Sequence, residues 1–287
     1  MTTIQSVAPI LLLLLMLANT IPYSWASPAF KDWGKTNLYL PTDATDDEKR
    51  IARIAAAGKP TEALAETEKA IKSKKDIARL LLMKIELSER LLQEENVRAD
   101  FQQLLPLPMS QTALFRAVDL ADHLDELELG IKLADRYQKE YSTSSPIPIL
   151  LNARMNTKLK QYNRAEQLLL PILNNPSMRS FTYPELARAY VSWNKPEKLI
   201  ALTKTGLSNP KWFSEKTTVT LLTLRANAYL ETGKYKEALT DYNLLIAKAP
   251  NLPALYTLRA KALTALGENK RAEADRLKQK QLDAADK

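Results

Sequence analysis

The chain contains no cysteine and a single histidine, His123. The absence of cysteine excludes disulfides, thiolate metal sites, cysteine nucleophiles and a lipidated cysteine anchor. A lone imidazole leaves no basis for a zinc site built on histidines, or for Ser-His-Asp or Cys-His catalysis. Glycine is scarce: there are six in 287 residues, about a third of the usual ~7%. That argues against β-rich folds with many tight turns and for helices joined by short loops. Long blocks of one charge sign are also missing. The 41 basic residues are interleaved with 33 acidic ones, for a net charge of +8. This is a mixed helical surface and lacks the clustered basic face of a nucleic-acid-binding module, so no nucleic-acid partner is expected. No phosphate-binding glycine loop, dinucleotide fingerprint, H-E-x-x-H or G-x-S-x-G is present. No catalytic residue, metal ligand or cofactor is therefore expected.

The remaining candidates for chemistry are weak. Asp122 and Asp125 stand one residue before and two after His123. On a helix those offsets point to different faces, so the three should not converge on one ion. The carboxylate pairs Asp46/Asp47 and Glu94/Glu95 suit solvated helix ends better than acid–base catalysis.

Residues 1–26, "MTTIQSVAPILLLLLMLANTIPYSWA", carry no charged side chain. The apolar run from Ala8 to Ala18 has the length of a signal-peptide core and is short for a spanning helix. Ser24 and Ala26 are small residues flanking Trp25, which suits cleavage after Ala26. The expectation is export to a periplasm. The alternative is an inner-membrane anchor formed by residues 8–25, and only an uncleaved segment gives the chain a membrane partner. Residues 27–43 hold two prolines, one glycine and scattered aromatics without helical period, and read as an extended lead-in. Trp33, Leu38 and Tyr39 are its candidates for packing on the first helices.

What the chain does have is a period. "TTVTLLTLRANAYLET" and "KYKEALTDYNLLIAKA" are two amphipathic helices closed by Pro250. Leu222, Ala226 and Tyr229 share one stripe; Tyr235, Ala238, Tyr242, Leu245 and Ile246 share another. Gly233 lies in the turn between them, where positive φ costs glycine little. Ala226 and Ala238 are small because the two helices cross closely there. Thirty-four residues on, "LGENKRAEADR" puts Gly267 and Ala272 in the places of Gly233 and Ala238.

This anatomy resembles the tetratricopeptide repeat: the 34-residue period, the small residue in each helix, the turn glycine, the aromatics and the closing proline. A step of 39 back from Ala238 reaches Leu199, so five extra residues lie near "SEKTT", 214–218. Steps of 34 then reach Ala165, and finally Ala63 beside Gly58 and Pro60, with two copies lacking the anchor residues at Val97 and Ile131. Seven helix pairs are expected, starting near 44, 78, 112, 146, 180, 219 and 253. The organisation reads as divergent repeats over 44–213, an insertion at 214–218, and the two clearest repeats with a C-terminal helix over 219–287. Asn194 and Lys160 are expected to make the turn where glycine is absent. Pro171, inside a second helix, should kink or end it.

The resemblance implies an all-α solenoid, a right-handed superhelix whose first helices line a concave groove. In that register Arg154, Lys158, Arg188, Asn227 and Lys261 face the groove, where such side chains reach carboxylates or sugar hydroxyls. The implied function is a non-catalytic scaffold for protein–protein interaction in a bacterial cell envelope, its partner possessing acidic character. The alternative is an accessory of polysaccharide export that binds an anionic polysaccharide. The chaperone-tail clamp of that family is not expected, because only Asn227 falls at one of its positions while Thr223, Ala254 and Leu258 occupy others.

Overall fold

The computed structural model describes residues 38, 40–73, 77–141 and 145–285. The candidate signal segment, residues 1–26, lies outside the described residues, as do Trp33 and Tyr39. Among the described residues there are fourteen α-helices and no strand. They form seven consecutive antiparallel pairs, each of a helix A and a helix B: α1 (Asp46–Ala56) with α2 (Pro60–Ser73), α3 (Ala78–Arg90) with α4 (Glu94–Leu104), α5 (Gln111–His123) with α6 (Leu127–Glu140), α7 (Ile147–Lys158) with α8 (Tyr162–Leu173), α9 (Arg179–Ser192) with α10 (Pro196–Leu207), α11 (Glu215–Glu231) with α12 (Tyr235–Lys248), and α13 (Pro253–Ala265) with α14 (Asn269–Ala285). The architecture is the expected all-α helical-repeat solenoid.

Local sequence starts these helices. Thr45 and Glu48 form a reciprocal capping box at α1, with Thr45 N–H donating to Glu48 and Glu48 N–H to Thr45 Oγ1. Asp46, Asp47 and Glu48 place negative charge in its first turn, where the helix dipole favours it. Ser110 and Ser214 cap α5 and α11 by accepting from Ala113 N–H and Thr217 N–H. Proline opens α2, α10 and α13, where its missing N–H costs nothing.

The turn inside every pair has one construction. Gly58, Leu92, Asp125, Lys160, Asn194, Gly233 and Gly267 all adopt positive φ, between 55° and 78°. In each case the next residue donates its N–H to the carbonyl five positions earlier, from Lys59 to Ile54 through Lys234 to Tyr229 and Glu268 to Leu263, at 2.8–3.3 Å. This left-handed cap satisfies carbonyls that the end of helix A would otherwise leave bare. Asn194 and Lys160 do make turns, as expected, and Leu92 and Asp125 do so as well.

Those seven residues fix the register. Five positions after each comes the buried residue at the A/B crossing: Ala63, Val97, Gly130, Ala165, Leu199, Ala238 and Ala272. At the third pair this corrects the sequence reading, which put Ile131 there. Ile131 is only partly buried against the core, whereas Gly130 is buried. A Cβ on Gly130 would collide with Met155 Sδ and lie 3.0 Å from the Ala121 Cβ. The period there runs 33 and then 35, so a strict step of 34 misses by one.

The described chain divides into two compact units, meeting at Leu168 and Leu169. In the first, α3 packs on α5 and α5 on α7, so neighbouring A helices touch. Its core gathers Leu81, Ile85, Phe101, Leu114, Leu133 and Met155, and Leu38 is buried with Ile51 and Ala63 at its start. In the second unit α9 packs on α11, and Tyr242, Leu222, Leu245 and Leu258 centre the core. The residues behind the 39-residue step supply a 3₁₀ turn, Pro210–Trp212, and then Ser214 and the first turn of α11. Trp212 and Phe213 pack on Tyr183, with ring centroids 6.0 and 5.3 Å away. Helix α8 runs through Pro171 and ends two residues later at Leu173. Pro184 sits inside α9 in the same way, a position the sequence reading passed over.

Candidate functional site

The turn register also locates the five expected groove residues. Arg154, Arg188, Asn227 and Lys261 each lie six positions before their turn residue, on α7, α9, α11 and α13. Lys158 is one helical turn beyond Arg154. The equivalent positions on α3 and α5 are Glu86 and Asp119. On α1 the position is Ala52, so the column starts apolar, is acidic on α3 and α5, and carries Arg154, Arg188, Asn227 and Lys261 after that. A strict step of 34 from Arg154 lands on Leu120, which is why Asp119 escaped the sequence reading.

In the first unit these residues form a charged cluster. Arg116 reaches Glu86 through Nε at 3.0 Å and Nη2 at 2.5 Å. Both side chains are almost buried, at 8% and 7% exposure. Arg154 Nη1 donates to Asp122 Oδ2 at 2.9 Å. Lys158 Nζ donates to Asp125 Oδ1 at 2.9 Å and lies 3.5 Å from Asp122 Oδ1. Asp122 and Asp125 therefore do converge, on an ammonium group. His123 ends α5, and among the described residues no three His, Asp or Glu side chains gather in a way that would hold a metal ion. Asp119 sits among these charges. Burial raises its carboxyl pKa to about 7, with Asp122 and Glu86 adding to the effect and Arg116 and Arg154 opposing it.

In the second unit Arg188 Nη1 donates to Glu185 Oε1 at 2.6 Å, one turn back on α9. Asn227 Oδ1 accepts from the Tyr242 hydroxyl at 2.8 Å. That bond fixes the amide and leaves its nitrogen as the donor. Burial raises the Tyr242 pKa well above the ordinary phenol value, so the hydroxyl keeps its proton. Lys261 is half-buried on α13. Arg154, Lys158 and Arg188 thus have carboxylate partners of their own, which weakens the field they project.

The second unit also contains a cleft of about 290 Å³. It opens between the end of α9, the start of α10 and the face of α11, and reaches the ends of α12 and α13. Asn227 lines it; Arg188 and Lys261 do not. Its floor is apolar, with Leu199, Leu224 and Leu255 among the lining residues. Thr220 and Thr223 on its wall donate their hydroxyls back to Lys216 and Val219 carbonyls within α11. Glu231 is the carboxylate of the lining, and its pKa is raised by burial. At the rim, Lys195 lies 5.5 Å from the Trp193 ring centroid. Lys198 lies 4.9 Å from Trp193 and 5.6 Å from Tyr190. Of this cleft the sequence reading found only Asn227, because its walls come from five helices and the turns between them.

Amides, paired charges and an apolar recess amount to recognition chemistry. The fold defines the class: it is that of tetratricopeptide repeat proteins. A tetratricopeptide repeat protein from Parabacteroides merdae is 17% identical and superposes with a TM-score of 0.53, over 83% of this chain and 92% of that one. The C-terminal part of a TPR repeat-containing protein from Cytophaga hutchinsonii is 13% identical, with a TM-score of 0.55 over 82% and 92%. No family model matches the chain, and no curated protein matches it by sequence.

Proposed function

We propose that this chain is a non-catalytic scaffold that holds a protein partner against its A helices, in a bacterial cell envelope. The observation that carries the reading is the column six residues before each turn. After Ala52 on α1 it holds Glu86, Asp119 and Arg154 in the first unit and Arg188, Asn227 and Lys261 in the second, polar groups at a repeated position where packing alone would accept apolar ones. Within each unit, stacked helix pairs present their part of the column as a recognition surface. The envelope location rests on residues 1–26, whose charge-free apolar run and small residues at 24 and 26 suit export and cleavage. Among the described residues no helix is long and apolar enough to cross a membrane.

The test is a pull-down from envelope extract with the chain from Ser27 as bait. Arg188→Glu should weaken capture of the partner, while Lys236→Glu, the same charge change on exposed α12, should not. Lys236→Glu should keep the wild-type melting midpoint to within a few degrees. Arg188→Glu sets a second carboxylate against the largely buried Glu185 and should lower it, so capture is compared at a temperature where circular dichroism shows both variants folded. Equal losses from the two would mean that net charge alone attracts the partner, and the A-face reading would fall.

A further inference from the structure

The cleft of the second unit has features that choose its occupant. Its volume, about 290 Å³, lies at the lower bound of small-ligand pockets, roughly 300–1,000 Å³. That suits one large side chain and excludes a helix or a strand. The floor reaches buried leucines, so an apolar group gains most there. The Thr220 and Thr223 hydroxyls are spent within α11, which makes that wall more apolar than its composition suggests. Asn227 is held by Tyr242 with its amide nitrogen as donor, a partner for a peptide carbonyl. Lys195 and Tyr190 line the cleft, and Lys198 stands beside them, 5.6 Å from the Tyr190 ring centroid and 4.9 Å from that of Trp193, which Lys195 also approaches. Glu231 is the lining carboxylate, so an acidic group gains only at the lysine side.

We infer that this cleft is an anchor site for an extended acidic peptide segment, which inserts one large apolar side chain and sets its carboxylates on Lys195 and Lys198. The inference rests on the scaffold reading above and gives it a location and a partner chemistry. A lysine held over an aromatic face is positioned before the ligand arrives, which reduces the ordering that binding costs. The Asn227 amide orients the main chain, and the recess selects the side chain.

The experiment uses the chain from Ser27 and fluorescein-labelled nonapeptides with Trp, Leu or Ser at the centre, flanked by Asp and Glu or by Lys and Arg. Fluorescence polarisation should show the acidic Trp and Leu peptides binding about tenfold or more tightly than the Ser peptide or any basic one. Lys195→Glu/Lys198→Glu changes exposed positions and should weaken the acidic peptides by about tenfold or more. Thr223→Trp fills the recess and should abolish the preference for Trp or Leu over Ser; the lysine double variant decides the matter even if Thr223→Trp does not fold. Equal binding of all peptides, an unchanged affinity in the lysine variant, or tighter binding of decanoate than of any peptide would overturn the inference. If the extract pull-down still responds to Arg188→Glu while the peptides fail, the cleft proposal falls and the scaffold stands. If the peptides bind as stated while Arg188→Glu and Lys236→Glu act alike, the A-face reading falls instead.

Discussion

The two units solve one packing problem with charges placed differently. In the first, ion pairs join consecutive A helices: Arg79 of α3 takes Glu48 of α1, Arg116 of α5 takes Glu86 of α3, and Arg154 of α7 takes Asp122 of α5. Both units also lock helix A to helix B of one repeat: in the first, Lys84 of α3 donates to Asp100 of α4 at 2.9 Å, and in the second the same position carries an arginine fork. Arg225 binds Asp241 in a two-pronged fork at 2.8 and 2.7 Å, and Arg259 repeats it on Asp275 thirty-four residues later. Charges that bridge neighbouring A helices close the surface between them. Charges kept within a repeat leave that surface to apolar packing, and it is between α9 and α11 that the second unit has its cleft.

The largest effects should come from breaking one partner of a buried pair. Glu86→Ala takes from Arg116 its nearly buried partner and should cost about 3–5 kcal/mol in chemical denaturation. Asp241→Ala should cost a similar amount through Arg225. The pair Arg50–Glu66 occupies the same A-to-B position as Arg225–Asp241, but at 49% and 29% exposure. Breaking it should cost at most about 1 kcal/mol. The fifth repeat has Leu186 and Leu202 where the sixth has Arg225 and Asp241, so Arg225→Leu/Asp241→Leu should recover most of the single-variant loss. A double variant as unstable as Asp241→Ala would show that the fork has no apolar equivalent.

Next come the crossings. Gly130→Ala drives a methyl into Met155 and Ala121 and should cost about 1–3 kcal/mol by overpacking. Ala238→Phe should cost as much in the second unit. An unchanged melting midpoint for Gly130→Ala would return the crossing to Ile131.

Smaller effects belong to the turns. Gly233→Ala should destabilise the second unit by about 1 kcal/mol, because φ of +73° strains a residue with a Cβ. Lys160→Gly relieves the same strain in the first unit and should stabilise it by up to about 1 kcal/mol, less the entropy that glycine adds to the unfolded chain.

Apart from these substitutions, Asp119 gives the first unit a pH slope. The Asp119 pKa is about 7 when folded, against an ordinary value of 3.8. Between those values the folded state holds a proton that the unfolded state lacks. This group's contribution to stability is therefore greatest at the acid end and is lost as pH rises towards about 7. Asp119→Asn should remove that slope, with Glu86, Arg116, Asp122 and Arg154 left in place. An identical slope in the variant would assign the titration to another of these groups.

The sequence carried the fold wherever the repeat keeps its glycine. Gly58, Gly233 and Gly267 mark turns openly, and the pairs around them were legible in position and register. In the middle of the chain Lys160 and Asn194 make the turns that the period assigns to them, while Leu92 and Asp125 adopt the same backbone without announcing it. A helix cap is fixed by its hydrogen bonds more than by residue type, so these turns are weak in sequence. One misplaced step at Gly130 then hid Asp119. The charge column was half legible. Arg154 and Arg188 were found by spacing, but the acids that bind them, Asp122 and Glu185, stand at other helical offsets and become partners only through packing. Of the cleft only Asn227 was legible, because Lys195, Thr223 and Leu255 share no spacing rule and meet only in three dimensions.

The central claim is that the partner lies on the A-helix faces. Its most direct test places a photo-crosslinking benzoylphenylalanine at Asn227, on α11, and separately at Lys236 and Leu244, exposed on α12. The protein is irradiated in its native host and captured under denaturing conditions. The account predicts one crosslinked protein species from position 227 and none from 236 or 244. The same species from 236 or 244, with nothing from 227, would contradict it.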